Sequence, residues 1–286
     1  MTFGRQPQDN NSQFNQPQYG QQQPQNGQPV YQMPAGQNPD GTPYAYAAAQ
    51  AGQAPIDAQA TYSYERAQHV SIANAYGQMT LALLVTAAVA VLTQMTGALN
   101  AFLVATGMFG WIGLAIVQVV LAIALGARIM KMKTSTAYAM FYVYAALMGF
   151  TLSSIFMVYD LGSIGIALVI SAGFFVALTM LSLTTKVNML KAGPILMVAL
   201  LVLIVSQVIL MFLMPSDTTI MVISAVGVLI FAGMTAYDAQ RTRALFAQYA
   251  TNPDMIKRLS IVCALSLYLD FVNMFLYLLR LFGGRN

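Results

Sequence analysis

The sequence has one cysteine, Cys263, one histidine, His69, and one glutamate, Glu65, in 286 residues. A single cysteine excludes an intrachain disulfide and a thiolate metal site. A single histidine, ahead of the first apolar run, excludes histidine zinc sites and a Ser-His-Asp triad in the apolar part of the chain. Neither a G-x-G-x-x-G nor a Walker loop is present, so nucleotide binding has no support. Charged residues make up 8%, against about 25% in soluble domains. From Gly77 onward the carboxylates are Asp160, Asp217, Asp238, Asp254 and Asp270. Hydrophobic residues reach 58% and the mean hydropathy is +0.63. A surface of this length in water needs far more charge, so the solvent for most of the chain is lipid. The net charge of +4 comes from basic residues in short clusters between apolar runs. That is a membrane-topology pattern, not a nucleic-acid groove.

Residues 1–68 differ from the rest. Gln21-Gln22-Gln23-Pro24-Gln25-Asn26-Gly27-Gln28-Pro29 is typical, with Tyr19, Tyr31, Tyr44 and Tyr46 scattered along the segment. Such a composition buries too little apolar surface to offset ordering entropy, and it reads as a disordered tail. With no apolar stretch near Met1, it is not expected to be a cleavable signal. It serves either as a solvated spacer or as a tail that binds other membrane proteins through its tyrosines. Residues 69–286 hold apolar runs at 77–96, 107–126, 137–158, 161–183, 194–214, 218–237 and 262–281. Each is near the ~20 residues that cross a hydrocarbon core. The fold class expected is an all-α membrane protein with seven transmembrane helices joined by short loops.

Loop charges set the orientation. Arg128, Lys131 and Lys133 follow run two; Lys186 and Lys191 follow run four; Arg241, Arg243, Lys257 and Arg258 follow run six. The intervening loops hold Asp160, Asp217 or no charge. The basic loops are therefore expected in the cytoplasm, with the N-terminal tail beside them. Run seven then ends outside, although Arg280 and Arg285 leave a crossing or a partly re-entrant segment open.

Ionisable groups inside a bilayer are the informative ones, because each costs several kcal/mol unless paired or hydrated. Asp270 lies well inside run seven. At 3.6 residues per turn, Ser266, Asp270, Asn273 and Tyr277 line one face, a polar stripe that must face protein or water. Asp238 lies at the end of run six, on a face with Ser224, Gly227, Phe231 and Thr235. Left to itself it would read as an interfacial carboxylate paired with Arg241 or Thr242. In run three, Tyr138, Tyr142, Ala145, Gly149 and Ser153 share a face whose small residues permit close helix contact. Gln118 in run two reads as a structural hydrogen bond.

Ala236-Tyr237-Asp238-Ala239-Gln240-Arg241, the segment Ser266-Leu267-Tyr268-Leu269-Asp270-Phe271-Val272-Asn273-Met274-Phe275-Leu276-Tyr277-Leu278-Leu279-Arg280 and the segment Met148-Gly149-Phe150-Thr151-Leu152-Ser153-Ser154-Ile155 resemble the Bax inhibitor family, the transmembrane Bax inhibitor motif proteins. The resemblance covers about residues 70–286. It implies seven helices with the seventh central. For bacterial members it implies a pH-sensitive calcium leak through the cell membrane, with two aspartates sharing a proton. By motif these are Asp238 and Asp270, which would also be the calcium ligands. It further implies an arginine from the end of helix two that pairs with the helix-six aspartate in the closed state. Arg128 matches it best, and Lys131 is the rival. Some members carry a carboxylate where this chain has Gln118. Eukaryotic members are linked to suppression of cell death and some bacterial ones to a membrane protease.

Physical chemistry supports the pair independently. Two adjacent carboxyls in a low dielectric cannot both ionise easily, so they titrate as a unit. Calcium takes oxygen ligands, and two acids bind it weakly, which suits permeation better than storage. The function expected is a calcium leak channel gated by Asp238 and Asp270, with Ser266, Asn273 and Tyr277 supporting. Calcium is the permeant ion and no cofactor is needed. An intramembrane aspartyl protease would carry G-x-G-D where this chain has Leu267-Tyr268-Leu269-Asp270, so no enzyme activity is expected. The alternative is a non-conducting regulator that binds other membrane proteins.

Overall fold

In hydrocarbon, each spanning segment must satisfy its backbone internally, and a helix does so. The computed structural model describes residues 56–284 apart from 130, 214–215 and 250–251, with side chains from Val70 onward (those of 211, 212 and 253 excepted). The helices are α1 (Ile56–Thr96), α2 (Ala98–Arg128), α3 (Thr134–Leu152), α4 (Leu161–Thr184), α5 (Gly193–Leu213), α6 (Asp217–Gln248) and α7 (Pro253–Phe282), with short 3-10 turns at Ser153–Met157 and Met189–Ala192. All seven contain a stretch long and apolar enough to cross a membrane. No strand occurs among the described residues. Most of the segment read as a tail lies outside the described residues; α1 starts at Ile56, ahead of the 68/69 boundary.

The helix ends follow the local chemistry. Gly97, at φ +65°, ends α1 in a left-handed conformation that glycine adopts without strain. Asp160 caps α4, accepting from the Ser163 amide at 2.8 Å and the Ser163 hydroxyl at 2.6 Å. Those bonds hold its carboxyl below the usual carboxylate range. Ser216 caps α6 and Asn252 caps α7, each accepting the amide three residues on. Inside α2, Gly107 is non-helical at φ 60°, ψ −152°, which kinks the helix where the second apolar run begins.

Helices α6 and α7 extend past their apolar runs. Arg241, Arg243, Lys257 and Arg258, expected in a loop, sit instead on the final turns of α6 and the first turns of α7. Hydropathy ends where lipid ends, but helical hydrogen bonding continues into the interface. The seventh run is one unbroken helix of 30 residues. At 1.5 Å per residue it spans about 45 Å, enough to cross the ~30 Å hydrocarbon core.

The seventh helix is central. In its most apolar stretch 72% of residues are buried, against 6–33% in the other six. Ile261, Leu267, Tyr268 and Met274 on α7 have no exposed surface. They pack into one core with Phe141 on α3, Phe175 on α4, Leu203 on α5 and Phe231 on α6. The predicted small face of α3 is realised: Ala145, Gly149 and Ser153 are buried. A Cβ on Gly149 would lie 2.4 Å from the Thr86 carbonyl oxygen, so only glycine allows this approach of α3 to α1. Gln118 joins α2 to α3, donating to the Leu147 carbonyl at 2.9 Å and the Thr151 hydroxyl at 2.6 Å. Outward faces carry exposed apolar side chains such as Val104, Phe109, Val202 and Leu229, which suits lipid.

Candidate functional site

Asp238 and Asp270 come from adjacent antiparallel helices. Asp238 sits three turns before the end of α6, and Asp270 sits in the middle of α7. Asp238 is 5% exposed and Asp270 is 3% exposed. Their carboxyls lie close enough to interact, and both line one cavity. A carboxylate only accepts, so a hydrogen bond between the two would require a proton on one of them. The second oxygen of Asp270, Oδ2, is buried and lacks a hydrogen-bond partner. A buried carboxyl oxygen without a donor is costly.

Both aspartates open on one cavity of about 230 Å³ between α5, α6 and α7. Its walls are Leu200 and Ile204 of α5, Phe231, Met234 and Asp238 of α6, and Ser266, Leu269, Asp270, Asn273 and Tyr277 of α7. The polar stripe read from the period of run seven therefore lines this space as a unit. Asn273 donates to the Leu269 carbonyl at 2.8 Å, and the Tyr277 hydroxyl donates to Gln207 Oε1 on α5 at 2.8 Å. The face of α6 predicted around Asp238 is also present, with Ser224, Gly227, Phe231 and Thr235 all buried. A space of this volume is large enough for several waters, and the carboxyl oxygens on its wall are of the kind a hard cation takes. Among the described residues no group of three or more His, Cys, Asp or Glu converges as a metal cage.

The cation at Asp238 comes from its own helix. Arg241 Nη1 lies 3.6 Å from Asp238 Oδ1. Arg128 and Lys131, the residues matched to a latch from helix two, are both exposed around the end of α2, and the structure does not bring them to Asp238. The nearer reading from the sequence, local pairing with Arg241, is the one present. A charged partner three residues away on the same helix needs no approach of α2.

Two contacts were not read from the sequence. Gln207 is a polar residue inside run five and carried the same signal as Gln118 in run two. Gln240 bridges α6 to the segment after α4. Its Nε2 donates to the Ser182 and Val187 carbonyls, both at 2.8 Å, and its Oε1 accepts from the Met189 amide at 2.8 Å. Arg243 adds a bond to the Leu183 carbonyl at 3.4 Å. Gln240 and Arg243 face that segment, while Asp238 and Arg241 face the dyad.

Residues 68–286 match a family model described as "Inhibitor of apoptosis-promoting Bax1". The chain is 39% identical over 215 residues to the inner membrane protein YbhL of Escherichia coli K12, covering 75% of this chain and 91% of that protein. An uncharacterized protein of Borreliella burgdorferi is 36% identical over 214 residues, with 75% and 91% covered. One from Deinococcus radiodurans is 34% identical over 215 residues, with 75% and 90% covered.

Proposed function

The chain belongs to the Bax inhibitor family, and from that premise we propose that it is a pH-sensitive calcium leak channel of a bacterial cell membrane, gated by Asp238 and Asp270. One observation carries the reading: the two buried carboxyls come together on one cavity that Ser266, Asn273 and Tyr277 also line. While they share a proton, they close on each other and carry one negative charge rather than two, which Arg241 beside Asp238 offsets. Loss of that proton sets two like charges together in a low dielectric, which favours separation of α6 from α7 or entry of a divalent cation. Two carboxylates with carbonyl and hydroxyl neighbours bind calcium weakly enough to let it leave. Arg241 steadies Asp238 from the interface. In this reading the chain catalyses no reaction, the N-terminal tail and the basic helix ends face the cytoplasm, and the tail is free to bind other membrane proteins.

The second reading is a non-conducting regulator of another membrane protein. The family description, which names inhibition of an apoptosis-promoting protein, favours it. Purified full-length protein in calcium-free liposomes carrying an internal calcium dye separates the two. A protein-dependent, pH-dependent calcium influx supports the channel. Influx equal to that of empty liposomes supports the regulator.

A further inference from the structure

The cavity has an ordered lining. Along α7 it climbs from Ser266 through Asp270 and Asn273 to Tyr277; along antiparallel α6 it runs from Asp238 to Phe231; along α5 it ends at Ile204. Its far end, away from the basic helix ends, is therefore the level of Tyr277 and Phe231. There the two rings stack, with centroids 5.8 Å apart and planes at 28°. One turn further out, each helix offers one residue, and each of the three meets Tyr277. On α5, Gln207 accepts the Tyr277 hydroxyl at 2.8 Å. On α6, Gly227 leaves room for the ring, since a Cβ there would lie 2.7 Å from it. On α7, the Arg280 guanidinium lies 5.5 Å from the ring centroid, within cation–π range.

From this we infer, resting on the leak-channel reading, that Tyr277 is the plug that closes the dyad cavity at its outer end, with Gln207 as its latch. The ring is 7% exposed and is held by one hydrogen bond, one stack and the Arg280 cation–π contact, so rotation of this one side chain is the movement that would open the exit. Gly227 supplies the space against which the ring seats. Arg280 sets a positive charge directly beyond it, so a cation leaving the cavity must pass both the ring and that charge. The dyad then controls charge within the cavity, and Tyr277 controls passage between the cavity and the outer aqueous phase.

The test is reagent access, read separately from calcium flux. Asn273→Cys, one turn below Tyr277, is the reporter in the full-length chain carrying Cys263→Ser; Ser266→Cys replaces it if that protein does not insert. A membrane-impermeant cationic thiol reagent is added to one side at a time, using vesicles of both orientations. From the α7 C-terminal side the reaction is expected to be slow. Tyr277→Phe or Gln207→Leu should each raise it about two- to tenfold, the factor expected from losing one hydrogen bond. The double variant should add nothing further, because both remove the same bond. An unchanged rate in both variants, or a gain only from the basic side, would overturn the plug. Calcium leak is measured in the same vesicles. Faster labelling with no leak in any variant retains the plug and removes the leak reading. A leak that depends on the dyad, with labelling unchanged, removes the plug alone.

Discussion

Arg241 reaches back one helical turn to Asp238, with Nη1 3.6 Å from Oδ1. The arginine side chain is 41% exposed, so the pair lies at the interface and is worth at most about 1 kcal/mol. That is a small bias, yet it acts on one member of the pair proposed to share a proton. Arg241→Gln is expected to shift the pH dependence of the leak with little loss of folded protein. Arg128→Gln is expected to leave the profile in place. Proteoliposome calcium influx across a pH series checks both. A shift with Arg128→Gln and none with Arg241→Gln would restore the latch from helix two.

The scaffold around α7 depends on a hydroxyl pair. The Tyr268 and Thr86 hydroxyls are 2.8 Å apart, and Thr86 also reaches the Ala145 carbonyl at 2.9 Å. Tyr268→Phe leaves Thr86 its carbonyl acceptor and should cost about 1 kcal/mol. Thr86→Val strands the fully buried Tyr268 hydroxyl and should cost about 1–3 kcal/mol. Gly149→Ala drives a methyl against the Thr86 backbone and should exceed both. Thermal unfolding in detergent gives the order, and equal melting temperatures for all three would refute it.

Gln240 fastens residues 182–189 to α6 through three hydrogen bonds, and Gly193 packs against the Tyr237 ring from the same face. Gln240→Ala should release that segment, raising trypsin cleavage at Lys186 and Lys191 severalfold while the helices stay protected. Gln240→Glu keeps the acceptor for the Met189 amide but loses the donors to Ser182 and Val187, so it should behave more like alanine than like wild type. Unchanged cleavage in both would show that the helix ends alone hold the segment.

Much of the fold was legible because lipid penalises polar atoms so strongly. Seven runs near the membrane length set the helix count, and the 3.6 period placed Ser266, Asp270, Asn273 and Tyr277 on the face that lines the cavity. Gly149 and Gln118 behave as their residue types suggested. The helix ends were less legible: hydropathy stops at the interface while α6 and α7 continue, so Arg241 and Lys257 read as loop residues. Partner choice was the least legible part. The sequence marks Asp238, Arg241, Arg128, Gln207 and Gln240 as groups needing a partner, but which meets which depends on three-dimensional register. Arg241 prevails at Asp238 because it is already on the same helix, and Gln207 finds Tyr277 only because α5 and α7 border the same cavity.

The central claim is that Asp238 and Asp270 act as one proton-sharing unit in a calcium path. Calcium influx into proteoliposomes against pH, for wild type, Asp238→Asn, Asp270→Asn and the double variant, tests it most directly. The account predicts a pH-dependent influx in wild type, a flattened pH profile in each single variant, a larger fall in influx for Asp270→Asn, and a double variant whose effect is smaller than the sum of the two single effects, because the two groups titrate together. Influx and pH profile unchanged in all three folded variants would contradict it.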